Sequence, residues 1–132
     1  FPMAQAIHTS YEEAFEKVRP NASTYLIIVT RGHKEDMRVL AWAVRTEARY
    51  VGMIGSKRKV LAVYKALESE GYRAEEFARV YAPMGLNIGA LSPEEIAVSI
   101  VAELIAIRRN AGGAANAHKK LNYEARPAVN AR

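Results

Sequence analysis

Tyr25-Leu-Ile-Ile-Val29, continued by Thr30-Arg31-Gly32-His33 and then Asp36, is the stretch that decides the fold. Five nearly continuous apolar residues, bounded by a polar turn, match a strand covered on both faces of a parallel sheet. The residues that follow turn amphipathic at once. Met37, Leu40, Ala41 and Val44 recur at i, i+3, i+4 and i+7, which predicts a helix over 35–46 with one face on that sheet. Trp42 lies opposite that face with Arg38 and Arg45, so this reading leaves the only tryptophan exposed.

The same alternation repeats outward in both directions. Downstream, Tyr50-Val-Gly-Met-Ile54 predicts a second apolar strand, and Gly55-Ser56 opens a helix whose Val60, Val63, Tyr64 and Leu67 share a face. Gly71 is placed to stop that helix. A short helix near 74–79 leads to Val80-Tyr81-Ala82, a further strand, and to the loop Pro83-Met-Gly-Leu-Asn-Ile-Gly-Ala90. Upstream, Met3–Ile7 is expected as a first strand, and Ser10 with Glu13 as the capping box of a helix carrying Tyr11, Phe15 and Val18. Ser92, Pro93 and Glu95 announce the last helix. From Ile96 to Ile107 its only polar side chains are Ser99 and Glu103, so cover is expected on nearly every side, by the core or by a partner.

Strands alternating with amphipathic helices define an α/β class, a mainly parallel sheet of three or four strands with helices on both faces. That is half of a usual doubly wound sheet, so pairing with an upstream half or a second copy is expected to protect its edge. The opening Phe1-Pro2 stands directly before a strand-like stretch, and the natural chain is expected to begin further upstream. Residues 1–109 form the expected domain, and 110–132, with Gly112-Gly113 and many alanines, a flexible basic tail.

Composition narrows the function classes. The chain has 132 residues and a net charge of +5, but Lys119, Lys120, Arg126 and Arg132 against Glu124 place three of those five charges in the tail. The remaining body is close to neutral, which argues against nucleic acid as a partner. No apolar run approaches the roughly 18 residues of a membrane span, and a signal layout is absent from the opening residues, so a cytoplasmic location is expected. Cysteine is absent, which removes disulfides, thiolate ligands and a cysteine nucleophile from these residues.

In open parallel sheets, ligands bind beyond the carboxyl ends of the strands, where helix N-termini face the crevice. Thr30, His33 and Asp36 fall there after one strand, and Gly55, Ser56, Lys57, Arg58 and Lys59 after the next. A close-approach glycine, a helix start with unpaired N–H donors and a basic cluster suit a phosphate or carboxylate. An ordinary serine cap with solvated lysines fits the same residues. Gly85, Asn87 and Gly89 lie in a loop able to close over a ligand, or merely to turn tightly. His8, His33 and Asp36 have no metal-ligand spacing, and no metal site is expected. The residues contain no G-x-G-x-x-G fingerprint, P-loop or nucleophile elbow, and no catalytic residue is assigned.

Taken in order, Thr30-Arg31-Gly32-His33 with Asp36, Tyr50-Val-Gly-Met-Ile-Gly-Ser-Lys-Arg-Lys59, and Pro83–Ala90 running into Ser92–Ile100 and Ala102-Glu103 resemble the C-terminal domain of the XdhC/CoxI family. These are the xanthine dehydrogenase accessory factors. The resemblance implies a Rossmann-like three-layer α/β/α domain, present here as a C-terminal portion, in a chaperone rather than a catalyst. It implies binding of the molybdenum cofactor and its delivery to a xanthine dehydrogenase-type molybdoenzyme. It also implies an upstream glycine-rich strand and a cysteine-containing N-terminal region. Many relatives carry two histidines where this chain has Arg31 and His33. Two other readings stand beside it: a domain of an oxidoreductase binding NAD or a flavin nucleotide, and a purely structural homodimerisation module.

Overall fold

The computed structural model describes residues 3–111. The elements run α1 (Tyr11–Lys17), β1 (Tyr25–Ile28), α2 (His33–Ala43), β2 (Tyr50–Met53), α3 (Lys57–Ser69), a 3-10 turn (Ala74–Phe77), β3 (Val80–Tyr81) and α4 (Pro93–Arg108). The strands form one parallel sheet in the order β1-β2-β3, with Tyr25 opposite Tyr50 and Val51 opposite Val80. Parallel neighbours require crossovers, and α2 and α3 supply them on one face. That face holds the main core, where Ile28, Val51, Met53 and Val80 of the sheet meet Leu40 of α2 and Val60, Val63, Tyr64 and Leu67 of α3. The four α3 residues expected to share a face are all buried.

The helix ends follow their local chemistry. Ser10, Ser56 and Ser92 each accept a backbone N–H three residues on, satisfying donors that the first turn leaves open. At Ser92 the box is complete, because Glu95 reaches back to the cap's N–H. At Ser10 it is half formed, since Glu13 takes the Thr9 hydroxyl instead. Gly71, at φ 101°, ends α3 as expected, with the Tyr72 amide donating to the Leu67 carbonyl at 3.1 Å. Arg79 gathers the carbonyls of Val44, Thr46 and Ala48, sealing the turn between α2 and β2.

Three expectations are corrected. Met3–Ile7 is not a strand but an exposed irregular segment; its alanines and glutamine have little preference for a sheet. Strand β1 is not covered on both faces, because α4 lies over β2 and β3 and leaves Ile27 46% and Val29 63% exposed at the sheet edge. Trp42 is half-buried rather than exposed: α1 folds onto α2 and stacks Phe15 on it at 4.7 Å between ring centroids. Within the chain, α4 is covered on one side, which leaves the other side to the partner that was the second expectation. The expected tail lies outside the described residues from 112 onward.

Beneath α4 the sheet presents three tyrosines in a row, Tyr25, Tyr50 and Tyr81, stacked at 6.0 and 5.0 Å. Tyr50 lies along Gly52, where an added Cβ would meet its hydroxyl at 2.4 Å. Only glycine leaves room for that ring. Its hydroxyl donates to Glu103 of α4 at 3.0 Å, deep in the interface. Burial, reinforced by the Glu103 carboxylate, pushes the Tyr50 hydroxyl far above its ordinary pKa, so it remains a donor.

Candidate functional site

All three strands release their chains at one edge of the sheet. The Ile54 amide donates to Ile28 at 3.1 Å, and the Met84 amide to Met53 at 3.1 Å, so the segments after β1, β2 and β3 leave side by side. Parallel pairing without a register slip dictates this.

After β1, Thr30 donates its hydroxyl to Asp36 at 2.5 Å and to the Gly32 carbonyl at 3.1 Å, which closes the turn into α2. Asp36 is fully buried, with its second oxygen on the Lys59 ammonium. Lys59 also reaches the Ile54 carbonyl at 3.4 Å. The two loops expected to share a crevice are therefore tied by an ion pair under their surface. Thr30 and Asp36 support that floor, whereas His33, at the start of α2, is exposed above it.

After β2, Gly55 takes φ 143°, a region that side chains rarely adopt, and delivers the chain to Ser56. The Ser56 hydroxyl is engaged by the Lys59 amide at 3.2 Å, and the Ser56 carbonyl by the Val60 amide. The amides of Lys57 and Arg58 remain as the helix's first open donors, and both of their side chains are exposed.

After β3, Gly85 is buried at φ 100°, its amide donating to Glu103 at 3.0 Å. A Cβ there would sit 2.4 Å from the Ser99 hydroxyl oxygen, and the Leu86 amide binds the Ser99 carbonyl. Gly85 is thus an anchor of the loop onto α4. Asn87 and Gly89 lie further out and are exposed.

The ten expected site residues separate by depth. Thr30, Asp36 and Gly85 are held in internal hydrogen bonds, Gly55 and Ser56 shape the start of α3, and His33, Lys57, Arg58, Asn87 and Gly89 face solvent. Two organising residues do not stand out from sequence. Lys59 reads only as part of a basic cluster; its place within the first turn, toward the apolar face, separates it from Lys57 and Arg58. Glu103 stands with Ser99 as a polar stripe in an apolar helix, a pattern that demands a buried partner. His8 belongs to a shallow depression beside Gln5, Lys17 and Val18, before α1. Among the described residues no group of three His, Cys, Asp or Glu side chains could hold a metal, and no helix is long and apolar enough to cross a membrane.

A parallel sheet with helices on both faces, and strand-end loops converging on a helix N-terminus, defines a Rossmann-like α/β domain. Residues 1–104 match the family model described as the XdhC Rossmann domain, and the chain belongs to that family. It is 32% identical over 113 residues to the uncharacterized protein YqeB of Escherichia coli, covering 85% of this chain and 20% of that protein. A protein of Bacillus subtilis named as a probable xanthine dehydrogenase component is 31% identical over 110 residues, covering 83% of this chain and 31% of its own length. A crystal structure of a xanthine dehydrogenase from Bacillus halodurans superposes with a TM-score of 0.67 at 32% identity, over 83% of this chain and 31% of that one. The chain thus spans between a fifth and a third of these relatives' lengths.

Proposed function

We propose that this domain is the ligand-holding part of a xanthine dehydrogenase accessory factor, which binds the molybdenum cofactor as cargo and hands it to a xanthine dehydrogenase-type enzyme. Two relatives are named for xanthine dehydrogenase, which supports the association. The observation that carries the ligand assignment is the start of α3, where open amides and the exposed side chains of Lys57 and Arg58 adjoin a floor fixed by Asp36 and Lys59.

The donor set fits the cargo's phosphate. It offers backbone N–H groups and positive charge at a positive helix end, with no group for bond cleavage required. Gly32 leaves open space where a side chain would stand, so the neighbouring turn can approach a bound group closely. His33, on the same turn, lies within the neighbourhood of the pterin portion in this reading. Lys59 is occupied by Asp36, so the binding charge comes from Lys57 and Arg58.

Titration with molybdopterin, followed by the fluorescence of its oxidised derivative, tests the assignment. Lys57→Glu combined with Arg58→Glu is expected to weaken binding on the order of tenfold or more while leaving the circular dichroism unchanged. Unchanged affinity overturns the site. A nicotinamide dinucleotide competing at equal strength shows instead that the helix start serves nucleotides generally.

A further inference from the structure

α4 is apolar on both of its sides: Ile100, Leu104 and Ile107 pack onto the tyrosine face of the sheet, and a second apolar row faces away from it. Its polar pair Ser99 and Glu103 faces the sheet, 4% and 0% exposed, while Val98, Val101 and Ile105 stand outward at 62%, 53% and 54%. A helix that merely caps a sheet in water carries polar side chains on its outer face. The outward residues are also ordered. Glu94, Val98, Val101, Ile105 and Arg108 follow one another at spacings of four, three, four and three, the seam along which helices pack in coiled coils. Glu94 and Arg108, one at each end, are exposed and join no ion pair among the described residues.

We propose that α4 is a homodimerisation helix, packing antiparallel along the α4 of a second copy of this chain about a two-fold axis at Val101. Charge complementarity selects this occupant. Glu94 and Arg108 lie about 21 Å apart along the helix, equidistant from Val101. An antiparallel copy therefore brings each Glu94 to the other copy's Arg108 twice over, whereas a parallel copy sets like charges together. The apolar trio between them meets its own image. Ile27, on the same sheet face as Tyr25, whose ring packs among the residues under α4, extends the apolar surface beside the helix.

Analytical ultracentrifugation of the full chain across the micromolar range tests this. The wild type is expected to dimerise with concentration. Val101→Lys, which introduces two facing charges at the axis, is expected to be monomeric, with an unchanged circular dichroism spectrum because the position is exposed. Glu94→Arg and Arg108→Glu are each expected to weaken self-association on the order of tenfold, since each makes two like-charge contacts. An equimolar mixture of the two variants is expected to regain the wild-type dimer, because every contact is then Arg to Glu. A wild type that stays monomeric overturns the proposal and assigns the seam to a different partner. A dimer indifferent to the single charge changes overturns the antiparallel arrangement.

Discussion

Asp36 and Lys59 form an ion pair that joins the first turn of α2 to the first turn of α3, with the carboxylate wholly buried and the lysine side chain 19% exposed. The pair locks two crossover units together at the edge where the candidate site lies. Its two ends are unequal. Lys59 can turn toward water if its partner is lost, whereas Asp36 has no such escape.

Lys59→Met is therefore expected to destabilise the domain by about 3 kcal/mol, the cost of leaving a buried charge uncompensated. Asp36→Asn is expected to cost less, because the amide keeps an acceptor for Thr30 and the freed ammonium reaches solvent. The double variant is expected to be more stable than Lys59→Met alone. Urea denaturation followed by circular dichroism gives the order; equal losses for both single variants would show that the pair is exposed to water.

The Tyr50–Glu103 contact is the corresponding fastening on the other face. Tyr50→Phe removes a donor from a buried carboxylate and is expected to cost about 1–3 kcal/mol. Gly52→Ala is expected to cost more. Its Cβ would lie 2.4 Å from the Tyr50 hydroxyl oxygen, so the ring has to leave Glu103 and the flanking tyrosines together. Thermal melts of both variants check the ranking.

The main core is legible in the sequence because it is periodic: Leu40 on α2 and Val60, Val63, Tyr64 and Leu67 on α3 announce their buried faces, and parallel strands follow from crossovers of that length. The convergence of the strand-end loops follows from the same logic. The depth of each site residue is not legible. Thr30, Asp36 and His33 look alike as turn residues, and only the approach of Lys59 from another helix decides which is internal. Trp42 reads as exposed for a related reason: helical phase shows which face points away from the sheet, but not that α1 returns to cover it. For α4, composition demands cover and does not show that Ser99 and Glu103 share the covered side with Ile107 while Val98, Val101 and Ile105 stay outside.

Phe15 and Trp42 give a local probe of that returning helix. Their rings are nearly parallel, at 12°, and Arg38 sits over Tyr11 at 5.2 Å, so α1 is held largely by its aromatic side chains. Phe15→Ala is expected to release α1, shift the emission of the single tryptophan to longer wavelength, and leave the global melting transition nearly unchanged, at a cost of about 1 kcal/mol. An unshifted spectrum would mean that α1 does not shield Trp42.

Acid should loosen two specific contacts. Hydrogen bonds from the Ser92 and Leu91 amides hold the Glu95 carboxyl below its ordinary value of 4.5, and the Arg45 guanidinium does the same for Glu76, aided by the Arg73 amide. Since both groups bind protons less readily in the folded chain, their contribution is complete above the unfolded value and disappears as pH falls through the lower folded values. Stability is therefore expected to decline below about pH 4.5, with the first turn of α4 and the Arg45–Glu76 bridge opening first. Glu95→Gln with Glu76→Gln retains acceptor oxygens but cannot titrate, so its stability should fall less steeply over the same range. Urea midpoints measured from pH 6 to pH 3 compare the slopes; identical slopes would show that these two contacts do not set the acid sensitivity.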